Sequence, residues 1–126
     1  MSVVGIGTDI LDLSRLENMS NEVRARLARR VLTEKEFEKY QSLKFPIPYL
    51  AKRWAGKEAA AKALGTGIAN GLSFQHIEIL SLDSGQPVLN FTEQGLVLAN
   101  KLGASSWHIS LSDEVTYAVA FVVLST

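Results

Sequence analysis

The sequence predicts an α+β fold in which an antiparallel sheet packs against helices. Helix signals cluster in the first half of the chain, and strands of alternating or apolar residues joined by turns follow in the second half. No repeat and no Pro/Gly-rich linker divides the 126 residues, of which 47% are apolar. We therefore expect a single domain over residues 1–126 with one buried core.

The chain opens with a predicted strand over residues 3–10, where apolar and β-branched residues indicate a buried position. Because side chains alternate between the two faces of a strand, Gly5, Gly7 and Asp9 share one face. Two positions without side chains beside a carboxylate leave room for another group to approach closely.

The first helical segment begins with a capping box. Ser14 is in the position of an N-cap, and Glu17 is placed to reach back to it. Apolar residues follow at helical spacing, namely Leu16, Met19, Val23 and Leu27. The polar segment 18–21 can nevertheless break this stretch into two pieces.

Two further helices are predicted before the chain changes character. Thr33–Glu36 is a second capping box and opens a short helix that ends near Ser42. Pro48 suits the first turn of the next helix, Tyr49–Leu64, because proline needs no partner for a backbone N–H there. Gly65 is a typical C-terminal glycine and should end that helix.

The second half is predicted to consist of strands and one helix. In order, these are a hairpin of strands 77–82 and 88–91 around the turn 83–87, a helix over 92–102 ended by Gly103, and strands over 107–112 and 116–124. The last strand is apolar on both faces, so we expect one face to pack in the core and the other to line an interface.

Composition excludes several classes of protein. The chain has no cysteine, which excludes a disulfide scaffold, a thiolate zinc site and a cysteine nucleophile, and fits a reducing cytoplasm. The longest apolar stretch, 118–124, is far shorter than the roughly 20 residues of a membrane span. No cleavable leader pattern opens the chain. We therefore expect a cytoplasmic protein without a membrane span, in which Met1 begins the mature chain.

Charge is unevenly distributed although the formal net charge is zero. Residues 15–62 carry 12 Lys and Arg against 6 Glu, a net of +6, and the rest of the chain carries the balancing −6. The zero total argues against general nucleic-acid binding. The basic half indicates either a face for an anionic partner or solvated helices whose charge the other half neutralises within the fold.

The helix 49–64 carries the residues best suited to chemistry. Glu58 and Lys62 lie on one face at positions i and i+4, and by spacing alone they are a pair that stabilises the helix. Asp9 changes this interpretation, because a carboxylate in a buried strand is costly unless it is paired or binds a cation. Asp9 and Glu58 can together hold Mg²⁺, which uses one or two carboxylates along with waters and phosphate oxygens. The basic side chains of the helix would then suit phosphate oxygens: Arg53, Lys57 and Lys62.

These residues belong to longer motifs. Gly7-Thr8-Asp9-Ile10 is followed by Arg15, and Arg53-Trp54-Ala55-Gly56-Lys57-Glu58-Ala59-Ala60-Ala61-Lys62-Ala63 runs into Gly65-Thr66-Gly67. With the turn 85–87 and the segment 108–112, they make nearly the whole chain resemble the holo-(acyl-carrier-protein) synthases. This family is the short, single-domain branch of the 4′-phosphopantetheinyl transferase superfamily. The Gly-x-Asp motif paired with a downstream Lys-Glu helix is highly specific.

The resemblance implies an activity and its partners. Members of the family transfer the 4′-phosphopantetheine group of coenzyme A to a serine of apo acyl carrier protein, in fatty acid biosynthesis. They use Mg²⁺ and release adenosine 3′,5′-bisphosphate. They act as homotrimers with sites between neighbouring subunits, which implies that the apolar last strand lines a trimer interface. No nucleic acid partner is implied.

The resemblance also implies roles for individual residues. Asp9 and Glu58 would hold the metal, and Glu58, or a metal-bound water beside it, would take the serine proton. Lys62 would neutralise or protonate the departing phosphate. Lys57 points about 100° away from Glu58, and its role would be toward the phosphates, a neighbouring chain or the carrier protein.

Further coenzyme contacts are expected from the hairpin turn and the fourth strand. The residues are Gly85 and Pro87 in the turn, and His108 and Ser110, which share a strand face with Ser112. As alternatives, the turn is an ordinary hairpin turn and the strand face is simply polar and exposed to solvent. Two positions depart from the family pattern: Gln86 replaces a basic residue, and Asp113 stands where many members have a histidine that contacts the coenzyme phosphates.

The first helical region is expected to dock the carrier protein, which in this family is strongly acidic. If the helix is unbroken, Arg15, Arg26 and Arg29 lie within about 60° of one another beside the apolar stripe. The expected docking residues are Arg15, Met19, Arg24 and Arg26, with Arg29 as a further candidate by charge. Such contacts at an interface rim should mainly accelerate association.

Two other functions remain open at this level. The same acids can serve a Mg²⁺-dependent nucleotide hydrolase, which would turn over without a carrier protein. Alternatively, the chain is a noncatalytic trimeric module that binds coenzyme A or an acidic partner.

Overall fold

The computed structural model describes residues 1–126, which form five β-strands and five α-helices. In chain order these are β1 (Val3–Asp12), α1 (Ser14–Glu17), α2 (Asn21–Val31), α3 (Glu34–Ser42), α4 (Pro46–Ala63), β2 (Ile77–Ser81), β3 (Pro87–Phe91), α5 (Glu93–Lys101), β4 (Ser106–Asp113) and β5 (Tyr117–Ser125). A 3-10 helix at Phe74–His76, which the sequence analysis did not predict, precedes β2.

The strands form two antiparallel sheets. A three-stranded sheet has the order β1-β5-β4, and β2 and β3 form a separate hairpin. The central strand β5 pairs Ala120 with Asp9 of β1 and Phe121 with Ser110 of β4. Helix α4 packs across one face of the larger sheet, which confirms the predicted α+β architecture of antiparallel strands against helices.

The glycine face of β1 allows a very close approach of α4. A Cβ atom on Gly7 would overlap the carbonyl oxygen of Ala59, and one on Gly5 would overlap that of Ala63. The group that the sequence predicted to approach these glycines is therefore the helix backbone. This contact sets the distance between β1 and α4, the two elements that carry the predicted acids.

The prediction that β1 is buried is wrong for one of its two faces. Ile6 and Ile10 are 61% and 62% exposed, because no helix covers that side of the sheet. On β5 the same side presents Val119 and Phe121, which are 36% and 47% exposed. The opposite side of β5 is fully buried against α4 through Ala118, Ala120, Val122 and Leu124. The larger sheet thus has one core face and one open apolar face.

The two predicted capping boxes have different outcomes. At Thr33 the box is present: its backbone N–H donates to Glu36 Oε1 at 2.7 Å, and its hydroxyl accepts from the Glu36 N–H at 3.4 Å. At Ser14 the prediction is wrong, because Leu13 is the N-cap and the Ser14 N–H instead donates to Asp12 Oδ1 at 2.9 Å. The longer β1 brings the Asp12 carboxylate to the start of the helix.

The predicted break in the first helical segment is observed. Helix α1 ends at Glu17, and Ser20 caps α2 by accepting the Val23 N–H at 3.2 Å. Helix α4 begins at Pro46, three residues before the predicted start, because both Pro46 and Pro48 are accommodated in its first turn. The later elements lie within two residues of their predicted bounds. None of the helices is both long and apolar enough to cross a membrane.

Candidate active site

Asp9, Glu58 and Lys62 meet where β1 crosses the C-terminal half of α4. The Lys62 ammonium donates to Asp9 Oδ1 and to the Thr8 carbonyl oxygen, both at 3.0 Å. Glu58 lies one helical turn before Lys62 on the same side of α4. The fold therefore brings together two acids that are far apart in the sequence, with a lysine beside them.

The Asp9 carboxylate belongs to the electrostatic environment of Glu58. Partial burial raises the pKa of Glu58 above its ordinary value of 4.5, and the negative charge of Asp9 raises it further. Lys62, Arg30 and Arg15 act in the opposite direction, in that order of strength. Glu58 is thus a carboxylate of raised basicity that faces both an acid and several cations.

This donor set fits a magnesium ion. The two carboxylates of Asp9 and Glu58 are hard oxygen ligands, and neither is fully buried. No group of three or more acidic or histidine side chains surrounds them. Two carboxylates leave most of an octahedral shell for waters and substrate phosphates, as Mg²⁺ prefers.

The structure contradicts the prediction that Lys57 contacts the coenzyme. Its side chain is 0% exposed, so it cannot reach a phosphate, a neighbouring chain or a carrier protein. The ammonium forms an ion pair with Glu36 at 2.6 Å and also donates to the carbonyl oxygens of Val31 and Phe74. Burial lowers the pKa of Lys57, and the Glu36 charge opposes this shift. Adjacent helix residues differ by about 100° in direction, which places Lys57 in the core and Glu58 at the site.

Arg53 lies apart from the acids, because five residues along α4 turn its direction about 140° from that of Glu58. Its side chain is buried, and its guanidinium donates to the Ile79 carbonyl oxygen at 3.2 Å and to Ser81 Oγ at 2.9 Å. The guanidinium also lies 4.2 Å from the centre of the Tyr49 ring. It lines an open cleft of about 450 Å³ beside the β2–β3 hairpin.

The hairpin turn and β4 form a second polar region. Pro87 and His108 line a small cleft of about 170 Å³ together with Gln86 and Trp107. Gly85 adopts the left-handed conformation that the turn requires, with φ of 91°. The structure thus brings the predicted turn and the predicted histidine together.

His108 and Ser110 do not join Asp9 and Glu58 within one chain. Both are exposed on the open face of the larger sheet, whereas α4 covers the other face. The strand alternation that placed them on one face is correct, but that face points away from the acids.

Asp113, which stands where many family members have a histidine, forms an ion pair within this chain. Its carboxylate lies 3.1 Å from the Lys52 ammonium of α4, and both side chains are partly exposed. The carboxylate at this position is therefore paired with a neighbouring lysine of the same chain.

The continuous arginine ridge was expected only for an unbroken helix, and the break between α1 and α2 means that this condition is not met. Arg15 lies on α1 and stacks on Trp54, with its guanidinium 5.0 Å from the ring centre. Arg24 donates to the carbonyl oxygens of Leu16 and Met19, at 2.9 and 3.1 Å, and so caps the end of α1. Arg26 on α2 is exposed. Arg15 on α1 and Arg26 on α2 therefore do not lie on one continuous helix face.

Two charged residues that were not predicted to belong to the site interact with residues of α4. They are Arg30 and Glu36. Arg30 is close enough to lower the pKa of Glu58. Glu36 was identified only as a capping residue, and the structure adds its ion pair with Lys57. A glutamate in a capping box carries no sequence signal for a second partner 21 residues away.

Comparison with known proteins agrees with the resemblance seen in the motifs. A family model described as the 4′-phosphopantetheinyl transferase superfamily matches residues 5–122. The holo-(acyl-carrier-protein) synthase of Shewanella denitrificans is 48% identical over 126 residues, 100% of both chains. That of Photorhabdus laumondii is 48% identical over 124 residues, 98% of both chains.

Solved structures show the same fold. The holo-(acyl-carrier-protein) synthase of Neisseria meningitidis superposes with a TM-score of 0.90 at 37% identity, covering 99% of this chain and 100% of that one. The Bacillus anthracis synthase in complex with CoA (3′,5′-ADP) gives a TM-score of 0.80 at 36% identity, covering 97% and 96%. From the motifs, the fold and these matches, the chain belongs to the 4′-phosphopantetheinyl transferase superfamily.

Proposed function

We propose that this chain is a holo-(acyl-carrier-protein) synthase, a single-domain enzyme that transfers the 4′-phosphopantetheine group of coenzyme A to a serine of apo acyl carrier protein. The observation that carries the proposal is the meeting of Asp9, Glu58 and Lys62 at the crossing of β1 and α4. Relatives of this name match the full length of the chain at 48% identity. The product supports fatty acid biosynthesis, and the cysteine-free composition fits action in the cytoplasm.

The chemistry is a phosphoryl-type transfer that needs positioning and charge neutralisation. The serine oxygen attacks the phosphorus next to pantetheine, and the bond from that phosphorus to the bridging pyrophosphate oxygen breaks. The electron pair leaves with adenosine 3′,5′-bisphosphate. Lys62, whose side chain is 52% exposed, can bind a phosphate oxygen and neutralise the departing charge. Glu58 can accept the serine proton on a carboxylate oxygen, because its pKa is raised.

Asp9 and Glu58 are the residues that would hold Mg²⁺. Bound there, the ion supplies charge neutralisation for the pyrophosphate. Lys62 keeps the Asp9 carboxylate oriented toward α4 through its 3.0 Å contact. The chain's own part is therefore to present two oxygen ligands and one ammonium on a rigid helix–strand crossing.

The enzyme is proposed to act as a homotrimer with sites shared between neighbours. Pro87, His108 and Ser110, the proposed coenzyme contacts, lie away from Asp9 and Glu58 of the same chain. A neighbouring copy can bring its own set to this chain's acids. The open face of the larger sheet supplies the apolar surface for such packing, through Ile6, Ile10, Val119 and Phe121. Arg53 and Gly85 are proposed to complete the coenzyme contacts.

Docking of the acidic carrier protein is proposed on α1 and α2. The side chains of Arg15 and Arg26 are exposed. Met19, which lies between these residues in the sequence, is partly exposed. Arg24 is tied to the end of α1 by its two hydrogen bonds, so we propose that its contribution is chiefly its charge. A basic surface of this kind attracts an acidic partner over a distance.

Mass spectrometry tests the function directly. Apo acyl carrier protein incubated with this chain, coenzyme A and Mg²⁺ should gain the mass of one phosphopantetheine group. Asp9→Asn and Glu58→Gln should abolish the gain while leaving the fold intact. Turnover of coenzyme A without carrier protein would instead indicate a hydrolase. Binding of coenzyme A with no mass gain, unaffected by Glu58→Gln, would indicate a noncatalytic module.

A further inference from the structure

The Glu36–Lys57 ion pair is buried and fully hydrogen-bonded, and the proposed reaction does not use it. Both side chains are 0% exposed. The ammonium is held by Glu36, by the Val31 carbonyl oxygen at 2.6 Å and by the Phe74 carbonyl oxygen at 3.1 Å. On the other side, the Glu36 carboxylate accepts the N–H groups of Thr33 and Ile79, each at 2.7 Å. The pair therefore connects α2, α3, α4, β2 and the 3-10 helix.

Stability alone does not explain why this pair is present. Removing two charges from water costs about as much as their attraction returns, so an apolar pair of similar size often stabilises a protein as well or better. A buried pair does, however, require one arrangement of its partners, because any shift leaves charged groups without hydrogen bonds.

Helix α4 needs such an arrangement because the part of it that carries Glu58 and Lys62 buries few large side chains. The side chains that it buries in its middle and C-terminal part are mostly alanines, namely Ala55, Ala59, Ala60, Ala61 and Ala63, and Gly56 lies among them. The facing positions of β1 include Gly5 and Gly7. Small side chains interlock weakly, so they resist rotation or sliding of the helix less than large ones do. Lys57 has the largest fully buried side chain of the molecule.

We propose that the Glu36–Lys57 pair fixes the rotation and axial position of α4 on the sheet, and that Lys57 and Glu36 are thereby positioning residues for Glu58 and Lys62. This inference rests on the proposed function, since that function assigns Glu58 to the metal and Lys62 to the phosphate. Glu58 follows Lys57 directly in the sequence, so any rotation of the helix at Lys57 moves the Glu58 carboxylate relative to Asp9.

The test is binding of Mn²⁺ alone, followed by the electron paramagnetic resonance signal of the free ion. The double variant Glu36→Gln/Lys57→Met removes both charges and keeps the net charge of the chain. Folding is checked first by near-ultraviolet circular dichroism. The folded variant should bind Mn²⁺ about 10-fold more weakly than the native chain, as expected when groups that orient metal ligands are removed. Unchanged affinity in the folded variant would overturn the proposal.

A milder variant covers the case in which the double variant does not fold. Glu36→Asp keeps the charge and shortens the side chain by one methylene, so it should weaken Mn²⁺ binding while the chain stays folded. Native affinity in Glu36→Asp would also overturn the proposal.

The matched control is Lys52→Met/Asp113→Asn, which removes the partly exposed ion pair between α4 and β4 with no change of net charge. It should bind Mn²⁺ as the native chain does, and an equal loss in this control would overturn a specific role for the buried pair. If native protein and Asp9→Asn bind Mn²⁺ equally, the proposed metal site itself fails. The two failures are therefore distinguishable.

Discussion

Lys57 and Glu58 show how far the environment separates two neighbouring charged residues. Lys57 is completely buried and paired, and Glu58 is half-buried at the proposed site. The difference arises from the turn of the helix, about 100° per residue. Their pKa shifts have one main cause, since burial disfavours the charged form of both: it lowers the pKa of Lys57 and raises that of Glu58.

The raised pKa of Glu58 predicts a specific pH dependence of stability in chain freed of divalent ions. The folded state keeps the Glu58 proton at pH values where the unfolded chain, with a pKa near 4.5, has lost it. Folded stability therefore falls as the pH rises through the raised pKa, and Glu58→Gln, which cannot ionise, avoids this loss. Urea denaturation in EDTA should show Glu58→Gln to be more stable than the native chain at pH 7, with the difference vanishing below about pH 4. A variant that is less stable at pH 7 would contradict this.

At the scale of the elements, the close contact of β1 with α4 sets the distance between the two elements that carry the site. Gly7→Ala places a methyl group against the backbone of α4 at Ala59 and Ala63, which cannot move aside as a side chain can. We expect a loss of about 3 kcal/mol or more in the free energy of unfolding, the upper part of the range for overpacked cores. Urea denaturation measures it. Thr8→Ala, on the opposite face of β1, is the control and should cost about 1 kcal/mol for its lost hydrogen bond.

The two capping boxes offer a second comparison between elements. Thr33→Ala should destabilise the chain by about 1 kcal/mol or more, because the Thr33 hydroxyl caps α3 and also donates to Glu78 Oε2 at 2.6 Å. Ser14→Ala should change stability by less than about 0.5 kcal/mol, since the Ser14 side chain caps nothing. Thermal unfolding of both variants checks this. Equal losses would mean that Ser14 acts as a helix cap after all.

The elements were predictable from the sequence wherever the signal was local. Thr33–Glu36, Pro48 and Gly65 mark helix ends through contacts with residues only a few positions away. The prediction of an N-cap at Ser14 failed because the competing cap, the Asp12 carboxylate, depends on where β1 ends. That end is set by pairing with β5, whose residues lie more than 100 positions further along the chain.

For the molecule as a whole, the open apolar face of the larger sheet predicts assembly. Phe121→Lys places a charge in the centre of that face, so the chain should sediment as a monomer and lose carrier-protein modification, because each site of the proposed trimer is shared with a neighbour. Leu96→Lys on α5 is a control of similar exposure, 40% against 47%, and should remain trimeric and active. Sedimentation velocity at the assay concentration distinguishes the outcomes. A native chain that is monomeric there would contradict the proposed assembly.

The basic surface of α1 and α2 makes a separate prediction at this scale. Arg15→Glu should slow association with the acidic carrier protein and make binding less sensitive to salt, while coenzyme A binding stays unchanged. Surface plasmon resonance at two salt concentrations measures the association rate. Lys101→Glu on α5 makes the same change of charge away from this surface and serves as the control. Equal loss of coenzyme A and carrier-protein binding would argue against docking by Arg15.

The amino-acid sequence by itself determined the order of the strands and α-helices, the family, and the pairing of Asp9 with Glu58 as the candidate metal ligands. These conclusions rest on local spacing and on motifs that can be identified in the sequence alone. Only the tertiary structure decided that Lys57 is buried, that β1 has an open face, and that His108 points away from the acids. The physical reason is that periodicity gives the angles between side chains about their own helix or strand. Which of those directions faces the core depends on packing partners that are remote in the sequence, as Glu36 is for Lys57.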